Sequence, residues 1–164
     1  MVATGAEVVE LLHEVKDPEV PVISIVELGI VRGAEVVGSR VVVDITPTYS
    51  GCPAMRVIEQ EVRAALTGHG FTEVEVRTVL RPAWTTDWIT EDGRRKLQQY
   101  GIAPPGPAPD LEAPLALGPT VRVVACPYCG SDQTTLRSGF GSTACKALYY
   151  CDACHQPFEH FKAF

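Results

Sequence analysis

Long apolar runs, basic clusters and glycine-rich nucleotide loops are all missing from this chain of 164 residues. Each absence excludes a class of function. No apolar stretch approaches the roughly 18 residues that a membrane-spanning helix needs. Met1–Asp17 carries Glu7, Glu10 and Glu14 where a secretory leader would be basic. Sec export is therefore not expected, and a reducing, cytoplasmic location is. Lys and Arg total 14 against 20 Asp and Glu, a formal charge of −6. An acidic chain with no basic run lacks the electrostatic footprint of a nucleic-acid binder. There is no G-x-G-x-x-G loop and no paired Glu-x-x-His motif, so neither a dinucleotide site nor a di-iron bundle is expected. Catalysis of the oxygenase kind is disfavoured on those grounds. No internal repeat is visible at any period.

What the sequence does hold is unevenly spread. A hydrophobic fraction of 46% is enough for a folded core. Residues 1–80 carry 12 acids and 6 bases, whereas residues 121–164 carry 3 acids and 4 bases. Five of the 6 cysteines fall between Cys126 and Cys154, and only Cys52 lies outside. Two halves of different chemistry are expected.

The first half reads as a small α+β domain. Val8, Leu11, Leu12 and Val15 recur at helical spacing over Ala6–Val15, with Thr4 as a cap and Glu7 three residues later. Asp17-Pro18-Glu19-Val20-Pro21 ends that helix, since each proline disfavours helix at the residue before it. Glu35–Val37 and Arg40–Thr46 are β-rich runs around Gly38-Ser39, a hairpin signature. Pro53–Thr67 is a helix with Val57, Ile58, Val62, Ala65 and Leu66 on one face. Glu73–Leu80 alternates as a half-buried strand, with Val74, Val76 and Leu80 inward. The order α-β-β-α-β sets an α+β domain over residues 1–81. Residues 82–102 form a helical extension, with a helix over Thr90–Tyr100 whose acids come early and bases late. Trp84 and Trp88 stand ahead of it, either as a docking patch or as a cap on the core. Residues 103–119 hold six of the 13 prolines and read as a semi-rigid linker. The remainder, 120–164, is the cysteine-rich domain.

The cysteine spacing carries the strongest chemical signal. Cys126-x-x-Cys129 and Cys151-x-x-Cys154 are separated by the 21 residues Gly130–Tyr150. One such turn presents two thiolates to one metal ion, and two turns close a tetrahedron suited to zinc or iron. The segment has few large apolar residues and should need the metal to fold. Disulfides and a dithiol redox pair are the alternatives. Structural disulfides are rare in a reducing compartment, and a redox C-x-x-C normally follows a strand of a βαβ unit, which is absent here. Cys145 shares a side with Cys151 by strand alternation, so it is either an extra ligand or a small buried apolar residue. His155 could also ligate, but four cysteines leave no vacancy.

Cys52 is a thiol of another kind. In Thr46-Pro47-Thr48-Tyr49-Ser50-Gly51-Cys52-Pro53 it stands at a helix start, because Pro53 fits a first helical position. Unpaired N–H groups and the positive helix end are expected to lower its pKa, which suits nucleophilic attack or transient iron binding. A buried, inert thiol is the bland alternative. No His or Asp partner is identifiable, which argues against cysteine-protease chemistry.

Asp17–Val31, DPEVPVISIVELGIV, together with Thr46–Pro53, TPTYSGCP, resembles the SufT-like family of iron–sulfur cluster assembly factors. CPYCGS, Phe140–Cys151 (FGSTACKALYYC) and PFEHFKAF resemble the D-type subunits of bacterial phenylacetyl-CoA epoxidase systems, in which an assembly-factor domain precedes a cysteine-rich tail. The resemblance spans nearly the whole chain. It implies an assembly-factor fold followed by a zinc-ribbon-like domain. It also implies a role in phenylacetate degradation, assisting assembly or repair of the iron–sulfur or iron centres of the ring-epoxidising multicomponent monooxygenase, without catalysis by this chain itself. Cys52 is then the residue that touches iron or a transient iron–sulfur cluster, with Asp17, Glu27 and Thr46 as its neighbours or supports. Turn capping is the alternative role for those three. Zinc, or else iron or an iron–sulfur cluster, belongs to the four-cysteine site. The implied partners are the reductase or the di-iron subunit, with no nucleic acid and no membrane, and a homodimer is compatible with so small a sheet domain. The alternative function is a non-catalytic interaction subunit whose metal site is purely structural.

Overall fold

Two groups of elements, Met1–Gly93 and Arg94–Phe164, form separate units in the computed structural model, which describes residues 4–108 and 123–164. In the first unit Thr4 opens helix α1 (Gly5–Leu11). Its hydroxyl accepts from Glu7 N at 3.3 Å, while the Glu7 carboxylate accepts from Thr4 N at 2.6 Å. This reciprocal pair satisfies two of the amides that a helix start leaves without partners. The helix tightens into a 3-10 turn over Leu12–Glu14 and stops short of Val15. Strands β1 (Val31–Val37) and β2 (Arg40–Ile45) form the expected hairpin around Gly38-Ser39, antiparallel with Val37 opposite Arg40. Helix α2 (Ala54–Gly68) then carries the chain to β3 (Glu73–Thr78), which lies parallel to β2. The sheet order is β1-β2-β3.

The core of this unit forms where two periodicities meet. Val41, Val43 and Ile45 share one face of β2, and Ile58, Val62 and Leu66 recur every fourth residue on α2; all six are 0% exposed. Each contributes roughly 1.5–3 kcal/mol relative to an exposed side chain. That four-residue stripe, begun at Ala54, rotates Val57 off the buried face, and it is 43% exposed. Leu80 is also solvent-facing, because β3 ends at Thr78.

Residues 84–93 strap this core. Trp84 is buried, and its indole N–H donates to Leu28 O at 3.0 Å. Trp84 is thus a cap on the core and not a docking residue. Gly29 adopts φ 76°, and a Cβ there would lie 2.7 Å from Trp88 Cβ, so only glycine fits beneath the strap. Thr90 N donates to Glu27 O, and the Arg32 guanidinium lies 3.4 Å over the Trp88 ring. The expected helix near Thr90 is α3 (Glu91–Gln99), with Thr90 Oγ1 accepting from Gly93 N.

The second unit is a four-stranded sheet in the order β4-β7-β6-β5. Its strands are β4 (Ile102–Ala103), β5 (Thr134–Ser138), β6 (Lys146–Cys151) and β7 (Pro157–Phe161). β5, β6 and β7 pair antiparallel, while β4 joins β7 in parallel, with Ala103 opposite His160. Ala103, the first residue of the expected proline-rich linker, is therefore part of the sheet. Positions 109–119 of that linker lie outside the described residues. Among the described residues no helix is long and apolar enough to cross a membrane.

Candidate functional site

The two C-x-x-C turns face each other. Cys126 and Cys129 lie in the turn ahead of β5, Cys151 closes β6, and Cys154 sits in the turn towards β7. The four sulfurs lie within 4.8 Å of one another. Across the turns, Cys126 and Cys154 are 3.7 Å apart and Cys129 and Cys151 are 3.6 Å apart. A tetrahedron of four metal–sulfur bonds near 2.3 Å has edges of about 3.8 Å, so the donor set fits one four-coordinate ion. The backbone of the two turns is alike. Gly130 N donates to Cys126 O at 2.8 Å and His155 N to Cys151 O at 2.9 Å. Both residues are left-handed, at φ 74° and 59°. Glycine takes that conformation freely, whereas histidine does so rarely.

The sulfurs also share protons unequally. The Cys154 N–H points at Cys151 Sγ at 3.5 Å, and this hydrogen bond is the main cause that draws the Cys151 thiol down to about 7. Burial, reinforced by the neighbouring thiols, pushes Cys154 up to about 12. A metal binds the thiolate form, so its arrival releases protons from the site. Cys145 stands outside this group. It is buried, its sulfur 3.1 Å from Thr143 Oγ1, because β6 begins at Lys146 and the strand alternation does not extend back to position 145.

Cys52 lies one residue ahead of Pro53, the N-cap of α2. It is half-buried, and its sulfur is hydrogen-bonded by the Ala54 N–H and by the hydroxyls of Tyr49 and Thr48. The lowered pKa expected at a helix start does not result. Burial pushes this thiol above the ordinary range, outweighing the Ala54 N–H, and the Glu19 carboxylate adds to the rise. Glu19 is held there by Asp17, which is 5% exposed and accepts from Glu19 N and Val20 N, both at 2.8 Å. Glu27 caps another turn: its carboxylate accepts from Ser24 N at 2.9 Å while Ser24 Oγ accepts from Glu27 N at 3.1 Å. Thr46 N donates to Ile30 O, and among the described residues its buried Oγ1 has no hydrogen-bond partner.

A protein of Escherichia coli (strain K12), provisionally named as the D-type component of 1,2-phenylacetyl-CoA epoxidase, is 50% identical over 156 residues, 95% of this chain and 91% of that protein. The chain belongs to this PaaD family. Residues 112–162 match the model of the PaaD zinc beta ribbon domain, and residues 5–78 match that of the iron-sulfur cluster assembly protein family. An Fe-S protein maturation auxiliary factor of Porphyromonas gingivalis is 30% identical over 96 residues, covering 57% of this chain and 90% of that protein. Among solved structures, a domain of unknown function from Bacillus anthracis is 27% identical with a TM-score of 0.54, covering 57% of this chain and 90% of that one. A hypothetical protein from Thermotoga maritima is 28% identical with a TM-score of 0.50, covering 58% and 95%. The match to the ribbon family and the sulfur spacing agree on a metal site in this PaaD family member.

Two residues beside these sites carry little signal in the sequence. His155 in its left-handed turn has none beyond following Cys154. Glu19 lies in the Asp-Pro-Glu turn, but only the fold brings that turn to the Cys52 loop. Alkylation of Cys52 at pH 7.5 is expected to be slower than that of free cysteine and to rise with pH past the ordinary thiol range, because the thiolate reacts and its fraction is depressed. Glu19→Gln removes the nearby negative charge and should speed the reaction about two- to threefold. Mass mapping of the Cys52 peptide over time reads both rates, and an unchanged rate in the variant would remove Glu19 from the site.

Proposed function

We propose that this chain is a non-catalytic accessory protein that assists assembly or repair of the iron–sulfur or iron centres of phenylacetyl-CoA epoxidase. Iron or a cluster passes through Cys52 as cargo. The observation that carries this reading is the setting of that thiol. It is partly open to solvent at a loop-to-helix junction, with Ala54 N–H, Thr48 and Tyr49 directed at the sulfur, inside the region that matches the cluster-assembly family. A thiol kept protonated at rest binds cargo only when its proton leaves, which favours transient over permanent ligation. Asp17 holds the turn that carries Glu19, and Glu27 fixes the loop that β1 follows, so both act as supports. The four-cysteine site holds a structural zinc ion. The client is the reductase or the di-iron component, and the names of the Escherichia coli and Porphyromonas gingivalis relatives support both parts of this reading.

Anaerobic protein loaded with ferrous iron and sulfide should pass cargo to the metal-free component, and Cys52→Ser should abolish that transfer while keeping one zinc per chain. Cells that make only the Cys52→Ala protein should lose epoxidase activity. Full activity in those cells would leave the second reading, an interaction subunit with a purely structural metal.

A further inference from the structure

One face of the second unit is a groove with no assigned role. Each strand contributes to its floor: Ala103 from β4, His160 from β7, Ala147 and Tyr149 from β6, and Leu136 from β5. The register places Ala103, His160 and Ala147 in one cross-strand row, and Tyr149 and Leu136 in the next row on the same face. Pro104 and Pro105 wall one side, and Val123 to Pro127 wall the other, so the first metal-binding turn forms part of the wall. The cavity is about 540 Å³. Three strand spacings of about 4.8 Å make it about 14 Å long, room for roughly four extended residues.

Its chemistry is apolar with one positive end. Val123 is 65% exposed, Leu136 53% and Phe140, next to the lining residue Gly139, 72%. Lys162 closes that end, its ammonium donating to Gly139 O at 3.1 Å and lying 4.8 Å from the Phe140 ring. Among the described residues no carboxylate pairs with Lys162. The nearby Glu159 is engaged with the buried Lys146 and with Ser142 N. The ammonium is thus fixed in position and retains donors for a ligand. Exposed apolar side chains around a largely apolar floor and one positioned cation suit a short segment of protein that is apolar and ends on an acid.

We infer that this groove docks an extended apolar segment bearing a carboxylate, contributed by a component of the epoxidase, with the carboxylate on Lys162. The inference rests on the reading that the chain works with that enzyme, but it does not depend on Cys52. The test places a photo-crosslinking benzoylphenylalanine at Leu136 of the full chain, in the presence of the purified epoxidase components, with mapping by mass spectrometry. A cross-link into an acidic, apolar segment of one component is expected. Lys162→Glu should cut its yield about tenfold, the loss for a reversed charge pair worth about 1.4 kcal/mol. Phe140→Ser, at a solvent-facing position, should weaken the yield while zinc content stays at one per chain. Cys52→Ala should leave the cross-link intact, so failure of cargo transfer and failure of docking are separate results. A cross-link only within the same chain, only to a second copy, or to no component overturns the inference. So does a yield unchanged by Lys162→Glu and by Phe140→Ser.

Discussion

Stripping the metal from the four-cysteine site is expected to unfold Arg94–Phe164 and to leave Met1–Gly93 folded. The buried cluster around the site is Ala103, Val124 and Phe158 together with Cys126 and Cys151, so two of its five members are ligands. Among the described residues the unit's other buried apolar side chains are Leu97, Ile102, Cys145, Ala147 and Phe161, and so modest a core does little to offset the chain entropy of a sheet of this size. Structural zinc sites supply on the order of 10–16 kcal/mol in apparent binding energy, enough to decide whether such a domain folds at all. The first unit has a core of its own, including Val41, Val43 and Ile45 of β2 and Ile58, Val62 and Leu66 of α2, that contains none of the four ligands. Chelator titration followed by amide hydrogen exchange should therefore show protection lost in β5, β6 and β7 and retained in β2 and α2. Cys151→Ser should reproduce the loss without chelator, whereas Cys145→Ala should keep one ion per chain. Acid should act like the chelator. The sulfurs must be deprotonated to bind, and the Cys154 N–H draws Cys151 down to about 7 in the metal-free site. Protons thus compete with the metal increasingly as pH falls. Simultaneous loss of protection in both units would contradict the independence of the two cores.

The parts of this architecture that are legible in the sequence are those written in local periodicity and spacing. The Thr4–Glu7 box, the Gly38-Ser39 hairpin, the helix after Pro53 and the paired C-x-x-C turns each depend on residues within a few positions of one another. What is not legible depends on contacts distant along the chain. The Cys52 pKa runs opposite to expectation because a helix start says nothing of the burial and the Glu19 carboxylate that the fold adds. Val57 faces outward because two adjacent apolar residues cannot both lie on a stripe of four-residue spacing, and the sequence does not say which one yields. Ala103 reads as linker since a two-residue strand has no periodicity to detect. Cys145 reads as a possible ligand only through an alternation that the strand start at Lys146 does not support.

Replacing Trp84 by alanine should be the most damaging single change in the first unit, and the reason lies in the strap it anchors. The side chain is 5% exposed and its indole N–H reaches Leu28 O, so alanine leaves both a large cavity and a carbonyl without its partner. Buried Trp→Ala substitutions cost about 3–5 kcal/mol. At about 4–8 °C per kcal/mol for a unit of this size, the midpoint should fall by at least about 12 °C. Trp88→Ala is the contrasting case. That ring is only half-buried, and its removal forfeits chiefly the contact with Arg32, worth about 1 kcal/mol. The difference matters for function because the strap grips Leu28 and Gly29 and takes the backbone carbonyl of Glu27. The same loop leads through Ile30, whose carbonyl accepts from Thr46 N, to the segment that ends at Cys52. Loosening it should therefore raise the alkylation rate of Cys52 as well as lower the midpoint, while the metal content of the four-cysteine site stays unchanged. A Trp84→Ala protein with an unchanged midpoint would show that residues 84–93 lie outside the cooperative core. A lowered midpoint with unchanged Cys52 reactivity would instead confine the strap to stability alone.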